Sequence, residues 1–375
     1  MNGLDKMPCV ETPCKGGKEV LAGLVRVQPI RGDSRRDPGA AGSTPGGRVA
    51  ILPYVLVPGL LRRGDVVRVI APSSPFDPEL LVRGLAVLRD GLGLLPRHRE
   101  DLYTRRGYLA GEDGRRLAEW NEAVADPEAR AIFAARGGYG AMRILPGIDP
   151  APLLARPRLL VGFSDFTAVH ALFNRAGLAT VHGPVLTQLG RAPKEAVEHL
   201  RALIMEPPGV RGPAAGPPGP GAGLCAPRVV RPGRAEGPLL GGSLALLAHL
   251  CGSGFLPPLE GAILALEDVD EKPYRLDRYL TQLRLSGALG GLAGVALGQF
   301  TECDWQGLRG AEVVRDWAMG LGVPAAEGFP FGHEDANFAL PLGARATLLA
   351  PAQGGDGPAR LLFDGWVEQV PAVVA

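Results

Sequence analysis

The sequence predicts an α/β protein with an N-terminal, mainly parallel sheet flanked by helices, plus a smaller mixed α/β C-terminal domain. Between residues 61 and 205, short apolar runs alternate with helical patterns, which is typical of a parallel sheet covered by helices. A stretch rich in proline and glycine, residues 206–224, then interrupts the chain, and the alternation beyond it is less regular. We therefore predict two domains, 61–205 and 225–375, joined by a linker at 206–224.

Residues 1–60 are predicted to form a disordered extension. Residues 30–48 are mostly Gly, Pro, Ser, Arg and Asp, a composition that buries too little apolar surface to offset the entropy cost of ordering the chain. We expect deletion of residues 1–48 to leave both fold and activity intact.

Local patterns define the elements of the first domain. A β-branched run at 66–71 predicts a buried strand. Asp77 and Pro78 then begin a helix, since Asp is a favoured N-cap and proline suits the first helical turn. The remaining predicted elements, in chain order, are a helix at 113–125, a strand at 131–135, a strand at 159–162 followed by a helix to 175, and a strand at 179–182.

The second domain is predicted to be mixed. An apolar helix follows Ser243, and a strand at 262–266 leads directly into Glu267 and Asp268. Further predicted elements are a helix at 274–285, a strand at 295–300, a helix at 310–320, and short strands at 346–349 and 360–363.

The charge and cysteine content exclude several classes of protein. The 40 basic and 39 acidic residues give a net charge of +1, so the sequence lacks the basic footprint of a protein that binds nucleic acid or an acidic membrane. Five sparse cysteines without a Cys-x-x-Cys pair indicate neither a disulfide framework nor a zinc site. The longest apolar run, 49–61, contains two prolines and falls short of the roughly 20 residues of a membrane helix. We predict a soluble cytoplasmic protein without a bound metal.

A serine stands at the turn between the strand at 159–162 and the helix that follows. Ser164 would project from the edge of the sheet beside the free N–H groups of a helix N-terminus, which stabilise negative charge. An acyl-transfer nucleophile needs this environment. The local pattern is Gly-x-Ser, which also suits a simple helix cap.

A serine nucleophile needs a base, and six histidines are available. His98 and His199 lie in charged surroundings and are predicted at the surface, whereas His170 and His249 lie within helices, where packing is expected. The two remaining candidates are His182, at the end of a strand near Ser164, and His333, in a loop. Glu267 follows an apolar strand and could orient either imidazole, although the run of acids there also suits a solvated turn.

Four motifs together resemble those of the LD-carboxypeptidases, serine peptidases that include muramoyltetrapeptide carboxypeptidase and the microcin C immunity peptidase. They are RGGYG at 136–140, GFSD at 162–165, LED at 266–268 and FGHE at 331–334, in the family's order and spacing. The likeness extends from about residue 61 to 370. The extension and the linker look like insertions relative to the family.

The resemblance implies a role for each matching residue. Ser164 would be the nucleophile, His333 the general base and acid, and Glu267 the carboxylate that orients His333. Backbone N–H groups of Gly138 and Asp165 would form the oxyanion hole, and Arg136, Gly137, Tyr139 and His182 would contact substrate. The implied reaction cleaves terminal D-alanine from the L-centre of a diamino acid in murein tetrapeptides, in the cytoplasm, without a cofactor, and in a homodimer.

Two other functions are compatible with the sequence. An immunity-type peptidase of the same family would cleave a peptide–nucleotide, although the RGGYG loop looks more like that of the cell-wall enzymes. A non-catalytic protein could instead hold a muropeptide or a phosphate on its glycine-rich loop. No Gly-x-Gly-x-x-Gly or Gly-Lys-Ser/Thr signature follows the first strand, which argues against the phosphate.

Overall fold

The computed structural model describes residues 55–206, 222–352 and 357–363. The predicted extension as far as residue 54 and the linker at 207–221 lie outside these ranges. The strands of the described ranges form two sheets: β1 (Val66–Ile70), β2 (Leu95–Arg97), β3 (Ala129–Ala134), β4 (Leu159–Gly162), β5 (Thr180–His182), β6 (Gly223–Ala226), β7 (Arg228–Arg231), β8 (Gly233–Ser243), β9 (Ile263–Val269), β10 (Gly294–Thr301), β11 (Ala325–Glu327), β12 (Leu340–Leu342), β13 (Arg345–Ala350) and β14 (Ala359–Phe363).

Six of the ten α-helices of the described ranges were predicted from the sequence, whereas those at 141–144, 151–155, 186–189 and 194–205 were not. Asp77 caps the first helix by accepting a hydrogen bond from the Glu79 N–H, as its position before Pro78 predicts. The helices are α1 (Pro78–Ala86), α2 (Asp113–Ala125), α3 (Ala141–Ile144), α4 (Ala151–Ala155), α5 (Thr167–Arg175), α6 (Leu186–Leu189), α7 (Lys194–Met205), α8 (Leu244–His249), α9 (Pro273–Leu285) and α10 (Gly310–Gly320). None of the described helices is long and apolar enough to cross a membrane.

The first sheet has six strands in the order β12-β5-β4-β3-β1-β2. The first five strands of the chain run parallel, and β12 joins the edge antiparallel to β5. Strand β2 lies on one side of β1, whereas β3, β4 and β5 follow one another on its other side. The direction in which the chain adds strands therefore reverses between β1 and β3. Ligands of open α/β sheets bind outside the carboxyl ends of the strands at such a reversal.

The second sheet has eight strands in the order β6-β14-β13-β8-β9-β10-β11-β7. Strands β8 to β11 form a parallel centre, and antiparallel strands flank it on both sides. The predicted fold class is confirmed. The C-terminal part, predicted to be the smaller, nevertheless contains the larger sheet. Two of its strands, β6 and β7, lie next to the linker and were not predicted from the sequence.

Two boundaries of the sequence analysis need correction. Residues 55–60 were assigned to the disordered extension, yet Leu56 forms a parallel bridge with Leu178 and its N–H donates to the Gly177 carbonyl. Gly223 and Leu224 were assigned to the linker but lie in β6. In both places a few residues gain strand partners from distant parts of the chain, which local composition does not reveal.

The two sheets are joined directly beside the predicted site. Leu340 of β12 pairs with His182 of β5, so a C-terminal strand completes the first sheet. The Ser243 N–H donates to Thr167 Oγ1 at 3.1 Å, and a Cβ on Gly242 would lie only 2.5 Å from the same oxygen. This close approach packs the end of β8 onto the start of α5 and fixes the halves relative to each other.

Candidate active site

Ser164 occupies a strained turn between β4 and α5. Its φ angle is +61°, in the left-handed region that non-glycine residues seldom adopt, and a short 3₁₀ turn, Ser164–Phe166, leads into the helix. The Gly162 carbonyl just before the turn accepts hydrogen bonds from the Gly183 N–H at 3.0 Å and from His170 Nε2 at 2.8 Å. The surrounding structure thus holds an unfavourable backbone conformation in place, as is common for functional residues.

Ser164, His333 and Glu267 converge across the two sheets. His333 Nε2 lies 3.0 Å from Ser164 Oγ, and His333 Nδ1 lies 2.6 Å from Glu267 Oε2. The serine comes from the β4–α5 turn, the glutamate from β9, and the histidine from the loop after β11. With its proton on Nδ1, the imidazole donates to Glu267 and leaves Nε2 free to accept the Ser164 proton, which is the hydrogen-bond order of a catalytic triad.

Glu267 and Asp268 are both buried, so these two acids are not part of a solvated turn. They continue β9, which extends to Val269. Burial of the His333 ring opposes its charged form, but the negative charge of Glu267 and the hydrogen bond to it outweigh burial and raise the pKa of His333 above its ordinary value of 6.5. Glu267 therefore favours the protonated form of the His333 imidazole.

Asp268 is a second buried carboxyl at the end of β9. Burial, followed by repulsion from Glu267, raises the pKa of Asp268 to about 7. Its oxygens accept hydrogen bonds from the N–H groups of Ala245, at 2.8 Å, and Val269, at 2.9 Å. The raised pKa keeps this strand end from carrying two full negative charges at neutral pH.

A chain of side-chain amides fixes the loop that carries His333. Asn337 Oδ1 accepts the Gly332 N–H at 3.0 Å, and Asn337 Nδ2 donates to Gln188 Oε1 at 3.0 Å. Gln188 Nε2 in turn donates to the Glu334 carbonyl at 2.8 Å. These amides bind the His333 loop to helix α6, which follows β5 of the first sheet. The sequence analysis missed them, because amides so far apart in the chain leave no local signature.

The glycine-rich loop after β3 packs against the Ser164 turn. A Cβ on Gly137 would lie 2.8 Å from Ser164 Cβ and 3.0 Å from Ser164 Oγ, so only glycine fits there without displacing the serine. Gly138 has a φ of +102°, and a Cβ on it would lie 2.5 Å from Ser74 Oγ. The backbone of this loop therefore approaches Ser164 more closely than any residue with a side chain allows.

Three side chains hold the glycine-rich loop. Ser74 Oγ accepts the Tyr139 N–H at 3.0 Å, and Arg116 Nη1 donates to the Gly140 carbonyl at 2.8 Å. Asp165, adjacent to the serine, accepts the Ala141 N–H on Oδ2 at 2.7 Å. Burial raises the pKa of Asp165, although the hydrogen bond from the Ala141 N–H to its charged form opposes that shift. Asp165 thereby ties the glycine-rich loop to the Ser164 turn.

A cavity of about 550 Å³ opens onto Ser164 and His333. Two of the predicted substrate contacts, Arg136 and Gly137, line it together with Gly138. Tyr139 does not line it; its ring is half exposed and packs edge-on against Tyr108 at 5.5 Å. The other residues around the cavity are Phe76, Asp77, Leu80, Phe163, Val185, Thr187, Gln188, Arg191 and Val269.

The structure distinguishes between His333 and His182, the two candidate bases. His182 is fully buried behind Phe163, with their rings 5.8 Å apart, and neither of its ring nitrogens has a hydrogen-bond partner among the described residues. Burial, followed by repulsion from His170 and His333, holds the pKa of His182 well below 6.5. A side chain with no access to the cavity cannot contact substrate there, so His182 is corrected to a core residue.

The remaining histidines are divided between core and surface. His170 is buried in α5, as predicted, and His98 is exposed, as predicted. His249 is exposed and packs edge-on against Tyr279 at 5.4 Å. The surface prediction for His199 is wrong: it is 3 % exposed and hydrogen-bonds to the Ala339 carbonyl at 3.0 Å, a partner 140 positions away.

Both halves of the chain match a known family. Residues 67–183 match the LD-carboxypeptidase N-terminal domain and residues 236–348 the C-terminal domain. A putative carboxypeptidase of Streptomyces coelicolor is 43 % identical over 299 residues, which cover 78 % of this chain and 92 % of the relative. The chain belongs to the LD-carboxypeptidase family. It is accordingly a hydrolase, a serine carboxypeptidase.

Relatives with more specific names extend this assignment. The murein tetrapeptide carboxypeptidase of Pseudomonas aeruginosa is 37 % identical over 292 residues, covering 75 % of this chain and 92 % of the relative. The crystal structure of muramoyltetrapeptide carboxypeptidase from Oxalobacter formigenes superposes with a TM-score of 0.68 at 29 % identity, covering 80 % of this chain and 99 % of that one. The microcin C7 self-immunity protein MccF of Escherichia coli is 26 % identical over 265 residues, 64 % of this chain and 77 % of MccF.

Proposed function

We propose that this LD-carboxypeptidase hydrolyses the bond between the L-centre of a diamino acid and the terminal D-alanine of murein tetrapeptides. The observation that carries the proposal is the hydrogen-bonded series Ser164–His333–Glu267 at the floor of the cavity. The murein tetrapeptide carboxypeptidase of Pseudomonas aeruginosa is 37 % identical to this chain in sequence and MccF is 26 % identical, which favours a murein peptide as substrate.

The proposed first step forms an acyl-enzyme. Ser164 Oγ attacks the carbonyl carbon of the scissile bond while His333 Nε2 accepts its proton. The tetrahedral intermediate collapses, the C–N bond breaks, and His333 returns the proton to the leaving nitrogen. D-Alanine departs, and the tripeptide remains as an ester on Ser164.

The proposed second step is hydrolysis of that ester. His333 removes a proton from water, the resulting hydroxide attacks the ester carbonyl, and the proton returns to Ser164 as the tripeptide leaves. In both steps Glu267 holds the imidazole by its Nδ1–H and stabilises the imidazolium. Water and side chains complete the reaction, so the proposed mechanism needs no cofactor.

We propose that the N–H groups of Gly138 and Asp165 stabilise the oxyanion in both steps. Support comes from the positions of these residues: Asp165 follows the nucleophile at the start of the 3₁₀ turn, and Gly138 follows Gly137, whose backbone packs on Ser164. Backbone donors fixed in this way need no reorganisation as charge develops. Arg136 and Gly137 are the proposed substrate contacts that line the cavity.

The test is incubation of the purified protein with murein tetrapeptide and, separately, with a peptide–nucleotide of the microcin C type. We expect release of D-alanine from the first and no cleavage of the second. Cleavage of the peptide–nucleotide alone would establish the immunity-type activity instead. If neither substrate is cleaved, labelling of Ser164 by an active-site phosphonate separates a catalyst of a different peptide from a non-catalytic muropeptide-binding protein.

The cellular setting completes the proposal. The name of the Pseudomonas aeruginosa relative supports a role in murein peptide recycling, and the cysteine content supports the cytoplasm. The homodimer is proposed from the resemblance to the LD-carboxypeptidases. Gel filtration with light scattering measures the oligomeric state directly: a mass of twice 39.2 kDa is expected.

A further inference from the structure

Two arginines line the cavity, Arg136 and Arg191. They differ in how strongly other groups of the protein bind their guanidinium groups. The Arg136 guanidinium donates to the Pro75 carbonyl. Arg191 has a single ionic contact among the described residues, an ion pair of 3.7 Å with Asp335 in which both side chains are more than half exposed. A pair this long and exposed contributes little stability, so the Arg191 guanidinium is available to a ligand.

The other polar side chains that line the cavity do not bind the Arg191 guanidinium. Among the described residues, Asp77 is the one acidic residue that lines the cavity, and Asp77 Oδ1 already accepts the Glu79 N–H at the start of α1. Gln188 is engaged through both its amide oxygen and its amide nitrogen in holding the His333 loop. The cavity therefore offers an incoming anion the Arg191 guanidinium, which the neighbouring polar side chains leave available.

The position of Arg191 relates it to the leaving group. His333 Nε2 must protonate the leaving nitrogen, so the leaving residue lies on the His333 side of Ser164. Asp335, the partner of Arg191, is two residues after His333 in the same loop. Arg136 instead precedes Gly137, on the side of the proposed oxyanion hole. Of the two arginines, Arg191 is thus the one paired to the loop that carries His333, which is the side on which we expect the leaving residue.

A carboxypeptidase needs a cation at this place. The residue it releases carries the chain's terminal carboxylate only one residue from the scissile bond, a span of about 3.5 Å. A carboxylate that leaves water without a partner is strongly disfavoured, and a guanidinium meets it with two parallel hydrogen bonds. We propose that Arg191 binds the terminal carboxylate of the leaving D-amino acid and so restricts the enzyme to the last bond of its substrate.

This inference rests on the proposed function. A pair of substrates, one with a free terminal carboxylate and one without, distinguishes failure of the carboxylate site from failure of the proposed function. The probes are a murein tetrapeptide ending in D-alanine and the same peptide ending in D-alaninamide, with tripeptide formation measured by chromatography. We expect the wild type to prefer the free acid. Arg191→Met should lower kcat/KM for the free acid on the order of 10- to 100-fold and leave the amide unchanged, since charged hydrogen bonds are lost only with the acid. Arg191→Lys should restore part of the loss.

Two further variants serve as controls. Arg83→Met removes an exposed arginine from α1, outside the cavity, and should retain full preference for the acid. Asp335→Asn removes the ion-pair partner while leaving Arg191 in place, and should retain that preference as well. If Arg191→Met and Asp335→Asn both lower kcat/KM for the acid and the amide alike, Arg191 acts by bracing the His333 loop, and the carboxylate site is overturned.

The remaining outcomes are equally decisive. Wild-type enzyme that cleaves acid and amide equally well, with no selective loss in Arg191→Met, overturns the carboxylate site and leaves the LD-carboxypeptidase activity standing. Wild-type enzyme that cleaves neither peptide overturns the proposed function and this site with it.

Discussion

At the scale of single residues, His333 sets how the reaction should depend on pH. Only the neutral imidazole accepts the Ser164 proton, and Glu267 raises the pKa of His333 above 6.5 against the effect of burial. Activity should therefore be lost as pH falls through a value above 6.5. A profile of kcat/KM against pH should show this acid limb.

Glu267→Gln tests the cause of that shift. Without the carboxylate charge, burial dominates, so the acid limb should move to lower pH while the maximal kcat falls. Glu334→Gln is the matched control, because Glu334 adjoins His333 but is exposed to solvent, and its limb should stay in place. An unmoved limb in Glu267→Gln would show that another group controls the profile.

The backbone conformation of Ser164 leads to a separate prediction about the stability of the protein. Its φ of +61° is costly for serine and alanine but not for glycine. Both Ser164→Gly and Ser164→Ala remove the hydroxyl, so comparison of the two isolates the backbone. Urea unfolding should find Ser164→Gly more stable than Ser164→Ala by about 1 kcal/mol. Equal stability, or an advantage for alanine, would mean that the turn is not strained.

At the scale of elements, the glycine-rich loop should tolerate no side chain at Gly137. An added Cβ would lie 3.0 Å from Ser164 Oγ, so Gly137→Ala should displace the nucleophile. A misplacement of about 1 Å costs on the order of 100-fold in rate. Steady-state kinetics should show that loss in kcat.

Gly114→Ala is the matched control for Gly137→Ala. Gly114 lies in α2 with nothing within 4 Å of an added Cβ, so alanine should leave kcat unchanged and stabilise the helix by roughly 0.5–1 kcal/mol. Full activity in Gly137→Ala would show that the loop yields, and would remove the packing argument for its role.

Local patterns predicted helices better than strand ends. Helices α2 and α10 have the predicted bounds, because an amphipathic pattern and its end signals lie within the segment itself. Strand β9 instead runs beyond residue 266, where Glu267 Oε2 pairs with His333 and Asp268 accepts the Ala245 N–H. Those partners are distant in sequence, as is the Ala339 carbonyl that allows His199 to be buried.

At the scale of the whole molecule, the site exists only where the two sheets meet. Motifs that resemble a family predicted that Ser164, Glu267 and His333 belong together. The contacts that hold them, such as Asn337 with Gln188 and β12 with β5, came only from the structure. Each joins segments more than 100 positions apart, and no local pattern encodes such a pairing.

The central claim is that Ser164 and His333 act as one unit in the release of D-alanine. The most direct measurement is kcat/KM for D-alanine release from murein tetrapeptide by Ser164→Ala, His333→Ala and the double variant. Each single change should lower kcat/KM by roughly 10⁴-fold or more, and the double variant should lose no more than either single variant.

The control for this measurement is His182→Ala, whose buried imidazole does not reach the cavity. Provided that circular dichroism shows it folded, it should retain most of the wild-type kcat/KM. The account is contradicted if the losses from Ser164→Ala and His333→Ala multiply in the double variant. It is contradicted equally if His333→Ala keeps its activity while His182→Ala is as inactive as Ser164→Ala.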